Sequence, residues 1–193
     1  MKFRTAARRS VIIVAVILLS LLCGYLYHVI GHRIDLRNHP RAYEEIVTRY
    51  AAEYGVPDSL LYAVMLKESG FVSNAVSEDG KIGLMQMTPE TFQSLCAMNK
   101  ETLDSGLLYD PDTNIRYGAY RLSYLFTNYG RWTTVLCAVY TNEQTVNGWL
   151  NDPANVDENG MLTKIPNAAV RDKVNEILEI SELYQSLYDS DIQ

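Results

Sequence analysis

An all-α architecture, one helical body behind a single N-terminal transmembrane helix, is what these 193 residues predict. Three observations carry the prediction. Twenty residues without a formal charge, Val11 to Ile30, read VIIVAVILLSLLCGYLYHVI. After residue 41, apolar residues recur at helical spacing in segments opened by Pro or closed by Gly. Beyond a short extended piece around Lys81 to Met85, no stretch alternates as a strand would.

The elements follow in chain order. Residues 1–10 form a basic tail with Lys2, Arg4, Arg8 and Arg9. At 1.5 Å per residue, residues 11–31 span roughly 30 Å, the thickness of a bilayer core. Basic residues before the span keep the N-terminus cytoplasmic and put everything after Gly31 outside the membrane. Tyr25 and Tyr27 fall at the outer interface, where amphipathic rings are favoured. A cleaved signal peptide is the competing reading, but no A-x-A-like site follows the run and the run is long for such a peptide. Cys23 follows Leu22 rather than a small residue, which also argues against a lipid-anchor signal. Residues 32–41 form a polar linker too short for a flexible stalk, so the body works close to the membrane. Residues 42–193 have the size of one domain.

Within the body, Tyr43, Ile46, Val47, Tyr50 and Tyr54 make one helical face, stopped by Gly55. Pro57 opens the next helix, with Asp58 in its first turn and Gly70 at its end. Thr88-Pro89 reads as an N-cap and first-turn proline ahead of PETFQSLCAM. The turn-rich DSGLLYDPDT leads to NIRYGAYRLSYLFTNYG, with a stripe of Ile115, Ala119, Leu122, Leu125 and Phe126. RWTTVLCAVY is a further apolar helix. A polar stretch, Asn151 to Gly160, precedes the last helix, whose stripe is Val170, Val174, Ile177 and Leu178.

Charge is unevenly spread. Residues 1–41 hold seven basic residues and one acid, Asp35, a balance of +6 that leaves −12 for residues 42–193 in a chain of net charge −6. So acidic a body excludes nucleic acid as a partner, because phosphates need Lys and Arg. A neutral glycan is compatible with it. Three cysteines are present, Cys23, Cys96 and Cys137. A Cys96–Cys137 disulfide is open to an extracytoplasmic domain, but both lie in apolar helical contexts that suit buried thiols. No Cys/His spacing suggests a metal, and no cofactor is implied. His28, His32 and His39 all adjoin the membrane segment and read as interfacial.

The stretch LLYAVMLKESG, Leu60 to Gly70, ends an apolar helix on a carboxylate. Leu61, Val64, Met65 and Glu68 share one face. Partial burial and the negative end of the helix both disfavour a charged Glu68. A carboxyl that keeps its proton suits a general acid. The plainer reading is a solvated glutamate beside Lys67.

The continuation is more specific. ESGF (Glu68 to Phe71), NAVS (Asn74 to Ser77), GLMQMTPETF (Gly83 to Phe92), YDPDTNIRYGAYRLSYL (Tyr109 to Leu125) and the closing helix together resemble the transglycosylase SLT family of lytic transglycosylases, which has a goose-type-lysozyme-like fold. The resemblance covers almost all of residues 42–188. It implies that Glu68 is a single catalytic acid/base. It also implies that Ser69 bonds the acid or the sugar, and that Gly83, Leu84, Met85 and Gln86 wall a glycan groove. Of these, Leu84 reads mainly as core. Gly83 permits a tight turn, Met85 offers adaptable contact and Gln86 supplies an amide. Bracing for Asn114 and packing for Tyr117 are the plainer readings of those two.

The implied substrate is peptidoglycan, cut between N-acetylmuramic acid and N-acetylglucosamine with formation of 1,6-anhydro ends and no cofactor. The implied location is the cell membrane, single-pass, with the catalytic body extracytoplasmic. Two departures stand against the family pattern. Where it carries AYNAG-x-G-x-V-x-x-W, this chain reads CAVYTNEQTVNGWL. An ungapped match puts Val139 at the family tyrosine, and a one-residue slip restores Tyr140 to it. Ala169 stands where the family often has a glutamate. Two other functions therefore remain in view: a lysozyme-like muramidase, which needs a group to activate water, and a glycan-binding scaffold of a wall-spanning assembly that has lost cleavage.

Overall fold

The computed structural model describes residues 2–188, with side chains from residue 18 onward. It divides into two compact units, Met1–Pro40 and Arg41–Gln193.

The first unit is one helix, α1 (Lys2–Asn38). The predicted linker at 32–41 is therefore mostly helical. Nothing in Arg33 to Arg37 breaks a helix, and the stop comes only at Pro40, which disfavours the helical region for the residue before it. Leu18, Leu19, Leu22, Tyr25, Leu26, Tyr27 and Ile30 are all exposed on α1. Among the described residues, no helix is long and apolar enough to cross a membrane. Residues 11–17, the first part of the predicted span, lie outside the residues whose side chains are described, as does the basic tail 1–10.

The second unit is all-helical, as predicted. Its elements are α2 (Glu44–Tyr54), α3 (Asp58–Ser69), α4 (Pro89–Met98), a 3₁₀ turn (Ser105–Tyr109), α5 (Pro111–Tyr129), α6 (Trp132–Tyr140), α7 (Glu143–Leu150) and α8 (Ala168–Tyr188). The extended piece near Lys81 contributes only isolated bridges from Ile82 to Val76 and Met87.

Helix α3 is the centre. Every residue from Leu60 to Met65 is buried, so the helix is apolar all round rather than along one stripe. It packs against α8 and α2, while α5 packs against α2 and α6. Gly70 ends α3 in a left-handed conformation, and its N–H bonds the Leu66 carbonyl at 3.1 Å. That stop fixes Glu68 in the last turn, where the side chain leaves the core. A second, smaller core gathers Met87, Phe92, Leu95, Cys96, Leu108 and Tyr117 under α4. Tyr117 meets Phe92 edge to face at 4.8 Å, so it is a packing residue.

Two helix starts differ from the sequence expectation. Asp110 caps α5 by accepting from the Thr113 N–H at 2.9 Å, so the helix takes in the predicted turn residues Pro111 to Thr113. Asn142 caps α7 in the same way, accepting from the Thr145 N–H at 2.8 Å. All three cysteines are free, Cys96 and Cys137 buried and Cys23 exposed. Burial pushes the Cys137 thiol up to about 11.

Candidate active site

A cavity of about 170 Å³ opens at the C-terminal end of α3. Val64 and Glu68 form its floor side, Lys81, Met85 and Gln86 come from the loop before α4, and Arg121, Val139, Tyr140 and Thr141 come from α5 and the end of α6. Glu68 is the one carboxylate among these lining residues. Glu78 and Asp79, the nearby loop acids, are exposed and do not line the cavity.

The Glu68 side chain is 8% exposed. Two donors converge on its Oε1. The Tyr140 hydroxyl donates to it at 3.1 Å, and the Lys173 ammonium lies 2.6 Å away. Lys173 also sits over the Tyr140 ring, 4.6 Å from its centroid. The Tyr140 hydroxyl is raised well above its ordinary range, first by burial and then by the Glu68 charge. It therefore stays protonated as a donor. Lys173 was not found by sequence reasoning. It sits on α8, far downstream, and no local motif ties it to Glu68.

The loop GLMQ owes its shape to buried polar contacts. Gly83 has φ +81, and a Cβ there would lie 2.1 Å from Asn114 Nδ2 and 2.3 Å from the Leu108 carbonyl oxygen. Only glycine fits so close an approach at that φ. Asn114, 1% exposed, braces the loop three ways. It accepts from the Met85 N–H at 2.8 Å and donates to the Ile82 and Leu108 carbonyls at 3.0 and 2.7 Å. Met85 packs its side chain where Gly118 leaves room on α5. Leu84 is fully buried, a core residue.

Gln86 adopts φ +48, a left-handed conformation uncommon outside glycine. Both of its amide protons go to the loop itself, to the Ala75 and Gly83 carbonyls at 3.2 and 2.8 Å. Its amide oxygen is uncommitted among the described residues. The Ser69 hydroxyl lies 3.0 Å from the Met65 carbonyl and 2.9 Å from the Leu84 carbonyl. With one proton to give, it ties the last turn of α3 to the loop rather than meeting Glu68. Of the predicted site residues, Glu68, Met85, Gln86 and Tyr140 line one cavity, while Ser69 and Gly83 shape its wall from behind. Arg121 was also missed. It lines the cavity with its guanidinium half-buried, Nη2 3.5 Å from the Val139 carbonyl. Among the described residues, no three His, Cys, Asp or Glu side chains stand together as a metal site would require.

The site is a cavity in a helical domain with one carboxyl, met by a tyrosine hydroxyl and a lysine and walled by a glycine-braced loop. The profile of the Transglycosylase SLT domain matches residues 45–161, more than half of the chain, and the chain belongs to that family. The soluble lytic murein transglycosylase of Escherichia coli K12 is 29% identical over 150 residues, which are 76% of this chain and 23% of that protein. Membrane-bound lytic murein transglycosylase C of Yersinia pestis is 36% identical over 103 residues, 52% of this chain and 28% of that protein. The crystal structure of the 70 kDa soluble lytic transglycosylase from Escherichia coli superposes with TM-score 0.71 and 27% identity, covering 79% of this chain and 25% of that one. A structure of a 70 kDa soluble lytic transglycosylase in complex with bulgecin A superposes with the same TM-score, 0.71. The chain spans about a quarter of the length of the curated relatives it matches.

Proposed function

We propose that this domain is a peptidoglycan lytic transglycosylase that cuts the β-1,4 bond between N-acetylmuramic acid and N-acetylglucosamine with Glu68 as its single acid/base. One observation carries the reading: Glu68 is the lone carboxylate of a cavity in a fold shared with proteins named for this activity. A hydrolase acting through water or a covalent sugar adduct commonly needs a second carboxylate across the bond. Here Glu68 protonates the glycosidic oxygen as the C1–O bond breaks. The resulting carboxylate then takes the proton of the muramoyl C6 hydroxyl as O6 bonds C1 and closes the 1,6-anhydro ring. No water is consumed. The internal hydroxyl competes because it is already held beside C1. The amide oxygen of Gln86 and the thioether of Met85 supply sugar contacts, while Gly83 and Ser69 keep their wall in place. Tyr140 steadies Glu68 through its donated hydrogen bond.

The exposed leucines and tyrosines of α1 support a membrane anchor over residues 11–31, with tail 1–10 cytoplasmic, linker 32–41 and body 42–193 extracytoplasmic. Sedimentation with membranes through a high-salt wash checks the anchor, and release into the wash argues against it.

The chemistry is tested by digesting purified sacculi and weighing the muropeptides by mass spectrometry. Anhydromuramoyl ends support the reading, and Glu68→Gln abolishes them. Reducing ends mean a muramidase instead. Intact glycan means a binding module.

A further inference from the structure

We propose that Lys173 is a positioning residue for the acid, orienting the Glu68 carboxyl and stabilising the carboxylate left once its proton has gone to the glycosidic oxygen. The inference rests on the lytic reading of Glu68 and adds to it a residue on α8.

The geometry is the ground for it. Exposed ion pairs on the same helix lie to either side, Arg171 with Asp172 and Glu176 with Lys67. Such pairs contribute little. Lys173 differs because its partner carboxyl is buried and lines the cavity. Its own position is fixed twice, by Glu68 Oε1 at 2.6 Å and by the face of the Tyr140 ring. Tyr140 donates to that same Oε1. Oε2 has no partner among the described residues, which makes it the oxygen that carries the proton and meets substrate. Two donors on one oxygen thus select the other for chemistry. When the proton leaves, negative charge grows beside an ammonium already in place, so little rearrangement is needed at the moment of reaction. The ammonium keeps its three protons throughout, and the only proton that moves passes from Oε2 to the leaving oxygen and back from the C6 hydroxyl.

The other ionisable groups around the pair are accounted for. Lys81 and Arg121 stand in the cavity wall, and the Tyr140 hydroxyl stays protonated. Glu143 of α7 faces Arg121. Lys67, Arg171, Asp172 and Glu176 form the outer pairs, and Glu44 and Arg49 of α2 pair away from the site with Arg41 and Asp112. Lys173 is the cation that touches Glu68.

The experiment is the pH profile of kcat/KM for release of anhydromuramoyl ends by the full chain, comparing wild type, Lys173→Met, Lys173→Gln and Lys173→Arg. The expected result of removing a positive charge 2.6 Å from the carboxyl is an alkaline limb moved upward, by about one pH unit or more. The acidic plateau falls several-fold because a weaker acid donates less readily. Arg restores the limb, whereas Gln, which keeps donors without charge, follows Met. If Met does not fold, Gln is read in its place. An alkaline limb that stays within about 0.3 pH units of wild type in both neutral variants overturns the proposal, since a shift that small lies well below the expected effect of an adjacent charge. Glu68→Gln separates the two levels of inference. A wild type that yields no anhydro ends, or a Glu68→Gln variant that still yields them, overturns the proposed function and Lys173 with it. Normal Glu68 dependence with an unmoved limb overturns Lys173 alone.

Discussion

Replacing Asn114 by Ala removes a side chain that holds one loop by three hydrogen bonds inside the protein. The Met85 N–H loses its acceptor at 2.8 Å, and the Ile82 and Leu108 carbonyls lose their donors at 3.0 and 2.7 Å. The side chain is 1% exposed, so water does not replace these partners without opening the loop. An orphaned buried N–H costs about 1–3 kcal/mol, and each carbonyl, with a second lone pair to redirect, somewhat less. The sum is about 3–5 kcal/mol, a large share of the 5–15 kcal/mol typical of a domain. Asn114→Asp sharpens the test. It keeps the acceptor for Met85 but sets a buried negative charge against two carbonyl oxygens, so it destabilises at least as much as Ala. Urea unfolding followed by tryptophan fluorescence, through Trp132 and Trp149, measures both. A loss under about 1 kcal/mol for Ala, or an Asp variant clearly more stable than Ala, refutes the bracing argument.

Tyr140→Phe keeps the ring over which Lys173 sits and removes only the donor to Glu68. Stability changes by less than about 1 kcal/mol while turnover falls on the order of 10- to 100-fold, and equal losses in stability and turnover refute a specific role. The Arg116 guanidinium, 2.5 Å from Glu101, holds that carboxyl below its ordinary 4.5, and the Tyr117 hydroxyl adds to the effect. A depressed carboxylate stabilises the fold above its unfolded value, and the contribution fades as pH falls through the folded one. Both partners are 30% exposed, so the gain is about 1 kcal/mol at neutral pH. The stability gap between wild type and Glu101→Gln therefore narrows as pH drops from about 6 to about 3, and a constant gap refutes it.

Much of the site was legible in the sequence because it is local. Glu68 and the glycine that ends its helix lie two residues apart, and the loop GLMQ runs straight into a capped helix. The buried face Leu61, Val64 and Met65 followed from spacing alone. What spacing could not show was burial on the remaining faces of α3, which depends on α8 packing from the far end of the chain. Lys173 and Arg121 were invisible for the same reason. Each is an unremarkable cation on an amphipathic helix until the fold turns it towards the groove. Helix α7 escaped because EQTVNGWL is short and mixed, with a single buried residue, Val146. Its cap, Asn142, was the available signal. Asp110 was the same signal for the early start of α5.

At CAVYTNEQTV it is Tyr140, not Val139, that meets Glu68. An ungapped match sets Val139 against the family tyrosine and Tyr140 against its asparagine, whereas a one-residue slip gives the tyrosine's place to Tyr140. In the structure α6 runs to Tyr140 and stops because Thr141 closes it, with both its N–H and its hydroxyl bonding the Cys137 carbonyl, at 2.9 and 2.7 Å. Thr141 and Asn142 then leave the helix, and α7 begins at Glu143. The connection between the helices is only two residues long, and Tyr140, the last residue of α6, is the one that reaches Glu68 of α3. Successive helix positions are rotated by about 100°, so Val139 and Tyr140 point in clearly different directions, and a hydroxyl at position 139 would leave the line to Oε1. The donor to Glu68 at this corner therefore comes from the last turn of α6, from position 140 and not from 139.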